Sequence, residues 1–251
     1  MMINNLYVSG LRIDEEIPKD NYISKLPVVA NLLKMGELRF DKRVTFFVGE
    51  NGTGKSTLLE ALAVCSGFNA EGGTRNFDFS TAETHSKLCD YLTVIKGIKH
   101  PRDGYFLRAE SFYNVASNID ELDKIPAAAP KISASYGGKS LHNQSHGESF
   151  LTLVEHRFGG NGLYILDEPE AALSPKSQMK LLAEIDRLVG KNSQFIIATH
   201  SPVLLAFPNA EIFVLSGDAI TLTPYKETVH YTMTKNFLDN PDRMIKYLLE
   251  K

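Results

Sequence analysis

The 251-residue chain contains only two cysteines, Cys65 and Cys89. They have no metal-ligand spacing and make no disulfide framework, so a packed core must hold the fold, and a reducing cytoplasm is the simplest setting. Long hydrophobic runs are missing as well. No apolar stretch approaches the roughly 20 residues that cross a bilayer. Residues Met1 to Leu11 lack a basic start and a continuous apolar run, which argues against a secretory signal. Excess charge is also absent. With 27 Lys and Arg against 30 Asp and Glu, the net charge is −3, so composition gives no push toward nucleic acid or anionic membranes. A local patch can still act against a neutral average, and Lys96, Lys99, His100 and Arg102 form a small basic turn of that kind. His85, His142 and His146 have no metal-ligand spacing with a cysteine or an acidic partner. No internal repeat or sustained heptad run is present. The 43% apolar content is ordinary for a globular protein, and the length suits one large α/β domain or two small ones.

What is present is concentrated in three places. Residues 49–57 read Gly49-Glu50-Asn51-Gly52-Thr53-Gly54-Lys55-Ser56-Thr57. They follow the apolar run Val44–Val48 and lead into a helical run, Ser56–Val64. A G-x-x-x-x-G-K-[ST] loop between strand and helix lets several backbone N–H groups converge on one phosphate, helped by the helix N-terminus. Asn51, Gly52, Thr53, Gly54, Lys55, Ser56 and Thr57 are therefore expected to bind nucleotide. Lys55 would reach the β- and γ-phosphates, and Ser56 would offer its hydroxyl to Mg²⁺. Farther on, the strand Leu163-Tyr164-Ile165-Leu166 ends in Asp167-Glu168-Pro169-Glu170. Asp167 is the second expected Mg²⁺ ligand, and Glu168 the base that polarises an attacking water. Finally, Phe195-Ile196-Ile197-Ala198 is a buried-strand pattern that ends at Thr199-His200-Ser201-Pro202.

Between these landmarks the pattern predicts an opening strand to Ile13 with a bend at Ser9-Gly10. Leu26–Met35 suits a strand or a short helix. Gly67–Ser80 reads as a flexible surface loop. Thr81–Tyr91 is expected to be helical, with strands at Leu92–Ile95 and Tyr105–Leu107 on either side of a polar turn. Pro126–His142 is loop-like, Glu148–Phe158 a short helix, and Glu211–Leu215 a further strand. Pro175–Val189 carries Met179, Leu181, Leu182, Ile185, Leu188 and Val189 on one apolar helix face. Helices between buried strands imply a parallel sheet covered on both sides.

In this order and spacing the motifs resemble the ATP-binding-cassette (ABC) class of ATPases, over about Leu6 to Leu222. The loop and the Asp167-Glu168 strand match the family's Walker A and Walker B patterns. Gln144-Ser145-His146-Gly147-Glu148 stands where the family has Leu-Ser-Gly-Gly-Gln, and keeps the serine and second glycine. The resemblance implies that Ser145 and Gly147 grip the γ-phosphate of ATP held by a partner subunit. It also implies that His200 is the switch histidine contacting that phosphate from the same subunit as the loop. The phrasing is similar to the RecF, SMC and OLD (overcoming lysogenisation defect) ATPase heads. Leu107–Phe112, Gln144–Leu151, Glu227-Thr228-Val229-His230 and Phe237–Pro241 are similar to a group of stand-alone bacterial ATPases.

What this implies is an α/β P-loop fold over 1–251, with a mixed core sheet, an antiparallel β part and a small helical lobe near 108–158. The implied activity is Mg²⁺-dependent ATP hydrolysis coupled to head-to-tail homodimerisation in the cytoplasm. A DNA-binding repair or phage-defence head and a transporter nucleotide-binding subunit are the other readings, with DNA, a protein effector or a membrane protein as partner. Two positions depart from the family. Ser174 stands where many relatives carry Asp. No Gln follows the Tyr105–Leu107 strand, which leaves Glu110 as the nearest group for the Mg²⁺ shell. Roughly 35 residues between Glu110 and Ser145 are too few for long coiled-coil arms. For the adenine, Arg12, Tyr7, Phe40 and Phe46 are the candidate platforms, with core packing the commoner fate of such aromatics.

Overall fold

The computed structural model describes residues 5–75, 86–110, 112, 117, 123 and 146–250. Among the described residues nine strands form two sheets: β1 (Val8–Ile13), β2 (Glu37–Arg39), β3 (Val44–Gly49), β4 (Leu92–Lys96), β5 (Asp103–Arg108), β6 (Gly162–Asp167), β7 (Gln194–Ala198), β8 (Glu211–Leu215) and β9 (Ile220–Leu222). The larger sheet runs β5-β6-β7-β3-β8-β9, parallel except for β9, and the smaller antiparallel sheet runs β2-β1-β4. The six described α-helices are α1 (Pro27–Met35), α2 (Lys55–Cys65), α3 (His146–Arg157), α4 (Pro175–Val189), α5 (Val229–Asp239) and α6 (Pro241–Leu249).

The parallel strands are buried on both faces, which is why they read as continuous apolar runs. Their period-2 alternation then sorts residues between two cores. Phe47, Ile165 and Ile196 face the core that also takes Leu58 and Leu62 of α2 and Leu11 and Leu38 of the small sheet. Phe46, Tyr164, Leu166 and Ile197 face the other, with Phe150 and Val154 of α3 and Leu181 and Ile185 of α4. Because α2 is enclosed between the two sheets, it is apolar nearly all round. By contrast α4 is one-sided. Ser174 caps it by accepting from Ser177 N–H at 3.2 Å, Pro175 opens its first turn, and Leu181, Ile185 and Leu188 are fully buried. Each of these three burials contributes about 2 kcal/mol. Met179, expected on the same face, is exposed instead.

One amide joins the sheets. Gln194 Oε1 accepts from Tyr7 N–H at 2.8 Å and Val8 N–H at 3.0 Å, while its Nε2 donates to Val8 O at 2.8 Å. The expected bend at Ser9-Gly10 is a register shift in the β1–β4 pairing.

Of the strand and short helix open for Leu26–Met35, the structure takes the helix, Pro27–Met35. Other expectations need correction. The strands at 92–96 and 103–108 lie in different sheets and do not form a hairpin. The described part of Gly67–Ser80 is no free surface loop. Phe68, Ala70, Gly72, Gly73 and Thr74 are buried, and Gly73 exchanges two backbone hydrogen bonds with Phe106 on the edge of the large sheet. Of Thr81–Tyr91 the described part forms a 3₁₀ turn, Lys87–Asp90. Tyr7, Phe40 and Phe46 are buried in the core, which leaves no face open for a base, and Arg12 pairs with Asp14 at the surface. Most of the 108–158 lobe, including the Pro126–His142 segment and Ser145, lies outside the described residues. None of the described helices is long and apolar enough to cross a membrane.

Candidate functional site

The parallel register brings the chemistry to one edge. Arg108 pairs with Asp167, and Asp167 with Ala198, at the carboxyl ends of β5, β6 and β7. Thr199 N–H donates to Phe47 O at 3.1 Å, so the His200 turn begins beside the phosphate-loop strand. Ligands of open α/β sheets bind outside such strand ends.

The loop leaves β3 through Gly49 and winds into α2. Gly54 takes φ 95°, and a Cβ there would meet Val28 Cγ1 at 2.5 Å, so only glycine fits. No side chain caps α2, and its first turn holds no acidic residue. The amide donors at its N-terminus are thus left for a ligand. Lys55 is buried, and its ammonium donates to Gly49 O at 2.8 Å and Glu50 O at 3.1 Å. Burial draws its pKa below the ordinary ammonium value, while the charges of Glu168, Asp167 and Glu170 oppose that shift.

Ser56 Oγ donates to Asp167 Oδ1 at 3.1 Å. Burial is the main cause that lifts the Asp167 carboxyl to about 6; Arg108 and the Ser56 bond pull it down, while Glu168 and Glu110 push it up. Arg108 Nε lies 3.7 Å from Asp167, and its guanidinium also pairs with Glu60 at 2.8 Å. A hydroxyl and a buried carboxylate short of positive charge are hard oxygen donors. They fit Mg²⁺, which takes few protein ligands and fills its shell with water and phosphate oxygens. No three-residue His, Cys, Asp or Glu cluster occurs among the described residues. Glu110, the substitute proposed for the missing Gln, is almost fully exposed and lies 3.7 Å from Arg108.

Glu168 follows in the left-handed region, at φ 50° and ψ 51°. A non-glycine residue held there stores strain that the surroundings must impose. Its N–H is fixed to Ala198 O at 3.0 Å. Glu170 grips the next turn with both oxygens, accepting from Thr199 Oγ1 at 2.7 Å and from His200 N–H at 2.5 Å. His200 Nε2 faces Glu168 Oε1 at 3.7 Å, and its Nδ1 lies 3.2 Å from His230 Nε2. A cleft of about 620 Å³ opens beside the two histidines, lined by Asn51, Thr53, His200, the Ser216-Gly217 turn and His230. Of the two expected signature residues only Gly147 is described. It sits in the first turn of α3, and a Cβ there would meet Ala172 O at 2.8 Å, so the helix start abuts the segment that follows Glu168.

Two protein-family models match the chain: "AAA domain" over residues 33–116 and "AAA domain, putative AbiEii toxin, Type IV TA system" over residues 141–206. Among curated relatives, an "Uncharacterized ABC transporter ATP-binding protein" of Haemophilus influenzae is 27% identical over 191 residues, covering 70% of each chain. The "Macrolide export ATP-binding/permease protein MacB" of Neisseria gonorrhoeae is 24% identical over 198 residues, covering 70% of this chain and 29% of that protein. The chain thus spans under a third of the MacB length. Among solved structures, an ATP-binding cassette of an ABC transporter superposes with TM-score 0.51 at 14% identity, covering 96% of this chain and 99% of that one. An SMC head bound to the C-winged helix domain of ScpA gives TM-score 0.50 at 15% identity, covering 86% and 98%. The chain is an ATPase with the ABC-type fold.

Around the candidate site, sequence patterns alone passed over four groups: Arg108, Glu60, Glu170 and His230. A cation ending an apolar strand, Leu107-Arg108, was the available signal for the first. Glu170 stood in plain view beside Glu168 without a task. Glu60 and His230 acquire partners only through tertiary contact.

Proposed function

We propose that this ATPase is a cytoplasmic nucleotide switch that closes into a head-to-tail homodimer on ATP–Mg²⁺ and opens on hydrolysis. The observation that carries it is the convergence of Lys55, Ser56, Asp167, Glu168 and His200 on one sheet edge, with Ser56 3.1 Å from Asp167 and Glu168 3.7 Å from His200. Asn51–Thr57 cradle the phosphates with backbone N–H groups. Lys55 gives up its bonds to Gly49 and Glu50 and holds the β- and γ-phosphate oxygens. Ser56 and Asp167 hold Mg²⁺, which when bound offsets phosphate charge. Glu168 accepts a proton from water as the water oxygen bonds to the γ-phosphorus and the β–γ bridge breaks, releasing ADP and phosphate. His200 donates to the γ-phosphate. Ser145 and Gly147 of a second copy meet the same phosphate, so hydrolysis removes the group that bridges the protomers.

The test is sedimentation and ATP turnover. Glu168→Gln is expected to bind ATP–Mg²⁺, hydrolyse it at least about a hundredfold more slowly and accumulate as dimer. Ser145→Arg is expected to bind ATP as a monomer and to lose hydrolysis. Wild type and Glu168→Gln both monomeric in ATP, with brisk wild-type turnover, would refute the shared site.

A further inference from the structure

His200 is held at three points, and only two of them belong to the phosphate-loop core. Its backbone N–H is fixed by Glu170, and its Nε2 faces Glu168. The third is His230 Nε2, 3.2 Å from His200 Nδ1, with ring centroids 5.4 Å apart at 51°. His230 comes from the start of α5, where Thr228 caps the helix by accepting from Tyr231 N–H at 3.3 Å. No residue of α5 is fully buried, so this contact is not a by-product of core packing.

The arrangement fixes a proton. A neutral imidazole carries one N–H, and the bond at one ring nitrogen decides where it sits. His200 Nε2 is buried, accepts no hydrogen bond and gives none within the protein, and opposes a carboxylate. A lone pair pointed at Glu168 would be repelled, whereas an N–H is attracted. The proton therefore belongs on Nε2, Nδ1 is bare, and His230 Nε2–H must be the donor between the rings. We propose that His230 is a positioning residue, which sets His200 in the Nε2–H tautomer so that the nitrogen facing the γ-phosphate position arrives as a donor. Burial is the main cause that holds the His230 pKa below its ordinary value, which favours the neutral ring as donor. The contact also ties His200 to the start of α5.

The inference rests on the ATPase reading of the site, and the experiment separates the two. Ring-nitrogen NMR of the ¹⁵N-histidine-labelled full chain, with His200 assigned through His200→Gln, reports the tautomer without nucleotide or turnover. The wild type should show His200 as Nε2–H, and His230→Phe should give mixed tautomers. ATP turnover by His230→Phe should fall about tenfold, at the low end for lost orienting partners of histidine, with KM for ATP within about twofold. His230→Gln, whose amide N–H can replace the donor, should recover most of the rate and the Nε2–H signature. His200 as Nδ1–H in the wild type, unchanged turnover in His230→Phe, or a Gln variant as impaired as Phe would each overturn the proposal. Wild-type turnover that survives Lys55→Ala would instead break the site assignment, while leaving the tautomer result readable.

Discussion

Asp103 and Asp167 stand at opposite ends of the paired strands β5 and β6, each close to an arginine and a hydroxyl. Asp103 is saturated: it accepts from Arg157 at 2.8 Å, Gly159 N–H at 3.0 Å and Tyr164 Oη at 2.7 Å. Burial alone would raise its pKa, but the Gly159, Tyr164 and Arg157 bonds together hold it below the ordinary value. Among the described residues the Asp167 carboxylate has one bond, from Ser56, and its arginine stays 3.7 Å away. Burial therefore dominates, and its pKa rises to about 6. The same residue types make a closed structural joint at one end and an unfinished site at the other. What separates them is how many donors reach the carboxylate.

The largest expected break in this comparison is Asp167→Asn. Turnover should fall at least about a hundredfold, by the scale of lost catalytic groups in acid–base and metal chemistry. Stability should move the other way. Asp167 is raised, so the folded protein binds its proton more tightly, and stability declines as pH climbs from about 4 toward 6. Arg108 and Ser56 oppose that decline, and Glu168 and Glu110 deepen it. Nucleotide-free Asp167→Asn should thus be more stable than wild type at pH 8, by about 3 kcal/mol, and nearly equal at pH 4. A variant that melts lower at pH 8 would show Asp167 to be satisfied at rest.

The middle effect is Asp103→Asn. Its pKa is depressed, so its stabilisation is present above the unfolded value and is lost as pH falls through the folded one. Urea unfolding at pH 7 should show a loss of about 2 kcal/mol, shrinking in acid, with turnover within about twofold of wild type. Activity falling more than stability would mean that the two ends are coupled. The smallest effect is Tyr164→Phe. It removes one of three bonds to Asp103 and leaves the ring stacked on Phe158 at 4.2 Å. A loss near 1 kcal/mol, not additive with Asp103→Asn, would place both in one network.

The contrast between the two ends also marks what was legible in the sequence. The phosphate loop, Asp167, Glu168 and His200 were readable because each lies at the end of an apolar run, and strand direction then delivers all of them to one edge. The strand pattern at Tyr164 was equally clear, but nothing local says that its hydroxyl meets Asp103, 61 residues earlier in the chain. His230 was legible only as part of a resemblance, because its partner sits 30 residues away across a crossing of the chain. Gly67–Thr74 misled for a different reason. Glycine and asparagine signal turns through backbone freedom, and that freedom also lets the segment lie flat against a sheet edge, where Gly73 pairs with Phe106. The adenine platform stayed unread because aromatics that could stack on a base are also what the core uses.

Gln194 has a consequence for synthesis. Its amide supplies the bonds for Tyr7 and Val8 from 187 and 186 residues downstream. A nascent chain therefore exposes its opening strand on the ribosome while most of the protein is still unmade, and closing so long a loop is slow. The phosphate loop, finished early by position, cannot be seated between β7 and β8 until those strands emerge. Nucleotide binding should consequently appear late and abruptly in a series of stalled chains of increasing length, once residues past β8 have cleared the exit tunnel.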